Sequence, residues 1–325
     1  MNIPAITPPA DPAPMARCDH PAATPTVSYP GLVLYHCPQC KLVFSEAVRW
    51  PLDPRDLYKD FYQNELSGRF RFGIETVIRL FRFFRAYKMH TIAPSARSII
   101  DIGSGRGFML YFLKRYYGYT RAVGTQIAEN MYRFSRDVLR LEVYHDDLLE
   151  LDLEPQSFDI VSIWHVLEHV KDPQAYLAAF RDLLADGGTL VIETPNYNSW
   201  SRRLTGRYWL GLDPKYHLHH FTPESLSLLV RRYGFEIRQV HTFSLEYSTF
   251  ISAQSMVSLL TGSDQQLFAW LQDGGFSAAL IAHMALMAVL VPISLVINLA
   301  LYFTRRGEVL LIIARKRPAG KPQAV

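Results

Sequence analysis

A glycine-rich turn after a short apolar run constrains the fold of this 325-residue chain more than any other feature. Isoleucines surround Asp101 in the run Ser98–Ile102, a pattern typical of a buried strand. A helix is predicted to begin near Phe108, directly after the turn. Such a turn lets backbone N–H groups approach a ligand at the N-terminus of a helix. The turn residues with this predicted role are Gly103, Ser104, Gly105 and Gly107.

The spacing of the glycines and the acid before them indicate the kind of ligand. The spacing is Gly-x-Gly-x-Gly, which differs from the Gly-x-Gly-x-x-Gly of dinucleotide-binding folds. Asp101 would repel a pyrophosphate, whereas it suits a ligand that carries an ammonium group and a ribose. S-adenosylmethionine has both groups, so the turn predicts a site for this ligand.

Four further motifs follow the turn along the chain. They lie at residues 122–126, 145–148, 158–169 and 186–196, and the third ends in Leu-Glu-His. From about Thr91 to Lys316 the chain therefore resembles the class I S-adenosylmethionine-dependent methyltransferases whose fourth strand ends in that tripeptide. The resemblance implies an enzyme with an α/β fold, in which a Rossmann-like sheet has seven strands and the seventh is antiparallel.

The resemblance also implies which residues bind the cofactor. Asp101 and the turn would hold the methionine end. Gln126 stands where the family usually has an acid on the ribose hydroxyls, and its amide can accept one hydroxyl proton without bringing a charge. Asp147, in preference to Asp146, would accept from the adenine amino group. The alternatives are an ordinary loop role for Gln126 and a solvated surface pair for the two aspartates. The other predicted contacts are Leu148 and Trp164.

Two histidines are the predicted catalytic residues. Methyl transfer to oxygen usually needs a base, and the unperturbed pKa of histidine lies near neutrality. His165 stands at the exit of strand four, and His217 lies in a loop after strand five that can fold over the site. The alternatives are a pocket-wall role for His165 and a metal site in the loop that carries His217, His219 and His220.

All three cysteines lie near the N-terminus and predict a metal site. Cys37 and Cys40 form a Cys-x-x-Cys knuckle, and Cys18 and His20 can complete a tetrahedral Cys₃His zinc site. An odd number of cysteines argues against a disulfide framework. The predicted module is similar to the N-terminal zinc ribbon of many methyltransferases in this group, and a degenerate ribbon without metal is the alternative.

An apolar segment at residues 276–303 contains no Asp, Glu, Lys or Arg. It lies between the predicted strands six (235–240) and seven (309–314), which are neighbours in this fold. A single crossing of a bilayer would separate strand seven from the sheet. The prediction is therefore a membrane-inserted helical hairpin bent near Pro292. The alternatives are that residues 250–260 join the segment, or that it forms a homodimer interface.

These motifs predict five parts of the chain. They are a disordered lead (1–17), a zinc-ribbon-like module (18–50), a linker with a covering helix (51–90), a methyltransferase domain (91–316) and a tail (317–325). Tyr58, Phe61 and Tyr62 are predicted to cover the cofactor. The formal net charge of +4 carries no global signature of nucleic-acid binding.

The predicted reaction is methylation of a hydroxyl or activated carbon on a lipid-linked or glycan acceptor. The apolar segment favours a location at the cytoplasmic face of the cell membrane, and a cytoplasmic location is the alternative. The alternative functions are methylation of a soluble small molecule, with the segment used for homo-oligomerisation, and a non-catalytic membrane scaffold.

Overall fold

A computed structural model of the chain describes residues 17–29, 31–49, 72–262 and 278–317. The predicted lead up to residue 16, the tail from residue 318 and most of the linker lie outside the described residues. So do the predicted covering residues Tyr58, Phe61 and Tyr62.

The strands and helices of the described residues are numbered in chain order. The strands are β1 (Thr24–Tyr29), β2 (Leu32–His36), β3 (Val43–Ser45), β4 (Ser98–Ile102), β5 (Arg121–Thr125), β6 (Glu142–Tyr144), β7 (Phe158–Trp164), β8 (Leu184–Pro195), β9 (His219–His220), β10 (Phe235–His241) and β11 (Val309–Lys316). The α-helices are α1 (Phe72–Ile92), α2 (Phe108–Tyr116), α3 (Glu129–Arg133), α4 (Pro173–Leu183), α5 (Trp200–Thr205), α6 (Pro223–Arg232), α7 (Ser248–Thr261) and α8 (Ala278–Ala300).

The main sheet has seven strands in the order β10-β11-β8-β7-β4-β5-β6. The strands β4 to β8 pair in parallel, and β11 pairs antiparallel with both β8 and β10. This topology confirms the predicted Rossmann-like sheet with an antiparallel seventh strand. The central strands are buried on both faces, which explains their continuous apolar runs. Because β4, β5 and β7 are parallel, their carboxyl ends meet at one edge of the sheet.

Helices cover both faces of the main sheet and form two apolar cores. On one face α1 packs along α2, where the rings of Phe83 and Phe112 meet edge to face at 5.5 Å. On the other face Leu177 and Phe180 of α4 are fully buried against the sheet. Helix α4 begins at Asp172, whose carboxylate accepts from the N–H groups of Gln174 and Ala175.

A second, antiparallel sheet has the order β1-β2-β3-β9. Its first three strands belong to the predicted N-terminal module, whereas β9 comes from the loop after β8. Val43 of β3 faces His220, and Phe44 faces His219. The side chain of Gln174 also exchanges two hydrogen bonds of 2.9 Å with the backbone of Cys18. The module is therefore tied to the methyltransferase domain by backbone pairing and by helix α4.

The apolar insertion forms one helix, α8, which pairs with α7, and the predicted bend at Pro292 is wrong. Helix α8 continues through Pro292, and its partner is α7. Hydrogen bonds between the two helices lie on either side of the proline: His283 contacts Gln254 at 2.9 Å, and Asn298 donates to Ser252 at 2.9 Å. Pro292 therefore lies within one uninterrupted helix, and α7 contacts this helix on both sides of the proline. The alternative in which residues 250–260 join the segment is the one the structure adopts.

Candidate active site

The glycine-rich turn connects β4 to α2 in the conformation that the sequence predicts. Gly103, Gly105 and Gly107 have φ values of 67°, 58° and 73°, in the left-handed region that favours glycine. A Cβ on Gly103 would lie 2.4 Å from Val166 Cγ2. No side chain caps α2, which begins directly after Gly107. The first N–H groups of α2 and the turn thus leave room for the carboxylate of a bound amino acid.

Asp101 lies near the end of β4, 4% exposed, just before the turn. Its Oδ1 accepts a 2.6 Å hydrogen bond from Ser162 Oγ on β7. Burial raises the pKa of Asp101 to about 6, although the Ser162 bond and the nearby Arg85 lower it. A buried carboxylate beside an open turn suits an ammonium group, which would compensate its charge. The residues present therefore fit the methionine end of S-adenosylmethionine.

Two of the predicted cofactor contacts already have hydrogen-bond partners within the chain. Gln126 follows β5, and its Oε1 accepts from Ala128 N at 2.9 Å. Asp147 accepts from Leu149 N at 2.9 Å and from Tyr176 Oη at 2.5 Å. Each carboxylate oxygen has a further lone pair, so these bonds orient Asp147 without excluding a ligand. The predicted contacts of Gln126, Asp147 and the buried Leu148 with the ribose and adenine stay predictions.

A cavity of about 280 Å³ lies between α1, the ends of β7 and β8, and the segment after β10. Trp164 is the one predicted site residue in its lining. The indole nitrogen of Trp164 is buried and has no hydrogen-bond partner among the described residues. The lining is aromatic and charged; its residues are Phe81, Phe84, Arg85, Lys88, Trp164, Glu193, His241, Phe243, Ser244, Leu245, Glu246 and Tyr302. We take this cavity as the candidate acceptor site.

The charged residues of α1 in this cavity are functional candidates that the sequence did not single out. The guanidinium carbon of Arg85 lies 4.3 Å from the ring centroid of Trp164. Arg85 also pairs with Glu246 at 2.7 Å, and Arg82 pairs with the same carboxylate. The arginines of α1 alternate with aromatic residues, which is equally typical of a solvated helix face. Only the ion pairs with Glu246 show that Arg82 and Arg85 point toward the protein and not toward solvent.

His165 follows β7 and lies between two buried carboxylates. Its Nε2 is 3.2 Å from Glu193 Oε1, and its Nδ1 is 3.5 Å from Glu168 Oε1. Its φ of 53° is a strained value for a residue with a side chain. Burial lowers the pKa of His165, but the hydrogen bonds to Glu168 and Glu193 outweigh it and raise the pKa to about 10. The raised pKa disfavours proton acceptance by His165, because a protonated imidazole has no lone pair to offer. The role of His165 as base stays a prediction.

Glu193 is the carboxylate that reaches both His165 and the candidate acceptor site. Burial raises its pKa, but the hydrogen bond from His165 and the positive charges of His165, Arg85 and Lys88 together lower the pKa below its usual value. Nothing in the sequence marks Glu193, which follows the apolar run of β8. A buried, ionised carboxylate at the acceptor cavity is a candidate for holding a hydroxyl group or its proton.

His217 lies closer to His169 than to His220 of its own loop, whose ring centroid is 6.4 Å away. His217 is 9% exposed, and its Nδ1 faces the carbonyl of Gly211 at 2.9 Å. Its ring lies 4.6 Å from that of His169. His219 and His220 are buried in β9 of the second sheet. The predicted metal site in this loop is therefore not formed by its three histidines, and His217 does not line the candidate acceptor site.

The four predicted zinc ligands lie together, with all ligand atoms within 4.8 Å of one another. Cys18 Sγ is 3.7 Å from Cys37 Sγ and 3.6 Å from His20 Nδ1, which is 3.3 Å from Cys40 Sγ. Tetrahedral zinc, with bonds of about 2.3 Å to sulfur and about 2.0 Å to nitrogen, separates its ligands by about 3.5–3.8 Å. These residues therefore fit a zinc ion, and four protein ligands would leave no open position for catalysis.

Comparison with known proteins agrees with the fold. A family model described as a methyltransferase domain matches residues 69–240, which is more than half of the chain. The chain belongs to this methyltransferase family. The seven-stranded topology and the turn place it among the class I S-adenosylmethionine-dependent methyltransferases.

Curated relatives match only part of the chain. The ubiquinone biosynthesis O-methyltransferase of Dinoroseobacter shibae is 32% identical over 149 residues, 42% of this chain and 59% of that protein. The tRNA U34 carboxymethyltransferase of Dichelobacter nodosus is 34% identical over 108 residues, 31% of this chain and 33% of that protein. The chain thus spans less than two thirds of the length of either relative.

Solved structures share the fold at low sequence identity. One is a chain from the Haloferax volcanii complex between the Trm112 methyltransferase activator and a methyltransferase. It has a TM-score of 0.50 and 15% identity, and the match covers 83% of this chain and all of that one. This likeness supports the fold.

Proposed function

We propose that the protein transfers a methyl group from S-adenosylmethionine to a hydroxyl of a lipid-linked acceptor at the cytoplasmic face of a membrane. The observation that carries the proposal is the position of Tyr302. This residue lines the candidate acceptor site and stands two positions after the end of the exposed apolar helix α8. An acceptor whose lipid part lies beside α8 would therefore have its head group near the cavity.

The polarity of the helix pair favours contact with a bilayer. The polar side chains of α8 are buried toward α7: His283, Ser294 and Asn298 are at most 1% exposed. Large apolar side chains face outward, with Ile281 65% and Val296 67% exposed. A helix pair in water normally has the opposite arrangement, whereas helices in lipid hydrogen-bond to each other through polar groups.

The dimensions of the pair favour insertion from one side. An 18-residue window within the stretch Leu280–Ala300 of α8 has a mean hydropathy of 2.5, and 22% of that window is buried. Helix α8 is about 34 Å long, but α7 with its 14 residues is about 21 Å long, too short for a core of about 30 Å. Strands β10 and β11, which flank the pair, are neighbours in one sheet. The proposal is therefore a monotopic anchor that enters and leaves on the same side.

Basic residues stand where the anchor leaves the bilayer. Arg305 and Arg306 follow α8 and are exposed. Anionic lipid head groups on the cytoplasmic leaflet attract such residues. The named activity of the Dinoroseobacter shibae relative, O-methylation in ubiquinone biosynthesis, supports a hydroxyl on a lipid-soluble acceptor.

The residues of the site have distinct roles in the proposed reaction. When bound, S-adenosylmethionine supplies the methyl group. Asp101 would hold its ammonium group, and Trp164 would wall the space where the methyl group is transferred. Glu193 would accept the proton that the acceptor hydroxyl loses as its oxygen bonds to the methyl carbon. His165, as an imidazolium between Glu168 and Glu193, would keep the Glu193 carboxylate in place.

The proposal is tested with radiolabelled S-adenosylmethionine and a total lipid extract, in parallel with water-soluble phenols and sugars. We expect label in the lipid fraction, and loss of turnover by roughly 100-fold or more in Glu193→Gln. Glu236→Gln is the matched control, because Glu236 is an exposed glutamate of β10. Equal labelling of soluble acceptors, or a wild-type chain that binds the cofactor but labels no lipid, would contradict the lipid-linked acceptor.

We also propose that Cys18, His20, Cys37 and Cys40 hold a structural zinc ion. The tetrahedral spacing of their ligand atoms and their burial support this. The double variant Cys37→Ser/Cys40→Ser should lose one zinc per chain in elemental analysis. The second sheet pairs the N-terminal module with β9, so the double variant should also unfold at a lower temperature than the wild type. Zinc content equal to that of the wild type would refute the assignment.

A further inference from the structure

A second group of metal-binding side chains lies where the loop after β8 meets the exit of β7. It consists of Glu168, His169 and His217, and the three ligand atoms lie within 4.8 Å of one another. The loop is held against this exit by its backbone: the N–H groups of Leu218 and His219 both donate to the carbonyl of Glu168, at 2.9 and 3.0 Å. The group therefore combines residues that are about 50 positions apart in the chain.

The hydrogen bonds of the two imidazoles define their tautomers. His169 Nδ1 lies 3.0 Å from the carbonyl oxygen of Tyr216, and His217 Nδ1 lies 2.9 Å from that of Gly211. A carbonyl oxygen only accepts, so each Nδ1 carries the hydrogen. In a neutral ring the Nε2 atom then has the lone pair. A backbone carbonyl on the far nitrogen is the usual support of a metal-bound histidine.

The carboxylate of Glu168 is held in the same way. Its Oε2 accepts a 3.0 Å hydrogen bond from Thr194 Oγ1, and the side chain is buried. An ionised carboxylate and two imidazole lone pairs are all electron donors, and a cation is what they can share.

We propose that Glu168, His169 and His217 form a second metal site, which binds a divalent first-row transition ion. Two histidines and one carboxylate are the ligands of non-haem iron(II) sites and of one class of catalytic zinc site, and both keep open positions. This donor set differs from the three thiolates of the N-terminal site. Glu168 also contacts His165, which in turn contacts Glu193 at the candidate acceptor site. Only the side chains of Glu168 and His165 would therefore separate the ion from Glu193. The inference does not depend on the identity of the acceptor.

Cobalt(II) is the probe that separates the two sites. The full-length protein is stripped of metal and titrated with Co²⁺, with visible absorption and elemental analysis as readouts. The N-terminal site should give an intense thiolate-to-cobalt charge-transfer band. The proposed site should add a second equivalent with only weak bands, typical of nitrogen and oxygen ligands. X-ray absorption of the second equivalent in the wild type should show no sulfur ligand.

Variants assign each equivalent to its residues. His169→Gln and Glu168→Gln should each bind one Co²⁺ and keep the thiolate band, whereas Cys37→Ser/Cys40→Ser should bind one and lose that band. His90→Gln is the control, since His90 lies on α1 outside both groups, and it should bind two. A wild-type chain that binds only the thiolate-coordinated ion would overturn the proposal. So would a second equivalent that persists in the folded variants, because its ligands would then lie elsewhere.

Discussion

Replacement of Val289 by lysine tests whether the outer face of α8 enters a bilayer. Val289 is the twelfth of the 23 residues of α8, so it lies at the middle of the helix, and it is 59% exposed. In water, a lysine at this exposed position should change the stability of the fold by no more than about 0.5 kcal/mol. In a bilayer it would place an ammonium group at the depth where charge is least tolerated.

The expected magnitude follows from insertion energies. A lysine at the centre of a membrane helix costs about 2.5–3.5 kcal/mol, and each 1.4 kcal/mol corresponds to a tenfold change in partitioning. The membrane affinity of Val289→Lys should therefore fall by roughly 100-fold relative to the wild type. The assay is flotation of the purified full-length chain with vesicles that contain anionic phospholipid.

The matched control is Val138→Lys. Val138 is 61% exposed, almost the same as Val289, but it lies outside the helix pair. This variant should bind vesicles as the wild type does. Equal vesicle binding by both variants, or a wild-type chain that does not float, would refute the membrane interpretation of α8. If Val289→Lys instead converts a dimer to a monomer, the outer face of α8 is a homodimer interface.

Three further predictions concern the methyltransferase domain. The pKa of Asp101 rises from 3.8 to about 6 on folding, so ionised Asp101 destabilises the fold above pH 6. The free energy of unfolding of Asp101→Asn in urea at pH 7.5 should therefore be higher than that of the wild type by up to about 3 kcal/mol. The same variant should lose cofactor binding in calorimetry. The pKa of His165 rises from 6.5 to about 10 on folding, so protonated His165 should stabilise the fold by at most about 5 kcal/mol. This stabilisation should be fully present below pH 6.5 and should disappear as the pH rises through 10. The free energy of unfolding of His165→Gln should lack this pH-dependent loss. Gly103→Ala should destabilise the fold by more than about 2 kcal/mol, because its Cβ would clash with Val166. Gly118 also has a positive φ but has free space around it, so Gly118→Ala should cost only about 1–2 kcal/mol in the same unfolding assay.

Residues close together in sequence determined the strand, turn and helix of the candidate cofactor site. This order is local, so the positions of Asp101 and Gly103 could be predicted from spacing, whereas their contacts with the cofactor stay predictions. The cluster of Cys18, His20, Cys37 and Cys40 was equally readable, because the knuckle of Cys37 and Cys40 is a short-range pattern. The antiparallel last strand came from the resemblance to a family, and the register of β11 between β8 and β10 confirms it.

The acceptor half depends on contacts that no local pattern contains. His165 stands beside a strand end, where a base is expected, but the hydrogen bonds to Glu168 and to Glu193, 28 positions later, raise its pKa. Arg82 and Arg85 look like solvated residues until Glu246, more than 160 positions away, pairs with both. The charge state and direction of such side chains are set by partners that only folding brings near.

The same distinction applies to the apolar segment and to the second metal group. Composition alone determined that residues 276–303 are apolar. That both ends of the segment lie on one side of a membrane followed from the strand order implied by the family resemblance. The tertiary structure decided that the partner is α7, because His283 and Asn298 find Gln254 and Ser252 there, and α8 continues through Pro292. Glu168 and His217 became neighbours only because the backbone of the loop after β8 bonds to the exit of β7. A sequence specifies which groups need partners, and the packing of the chain determines which partners they meet.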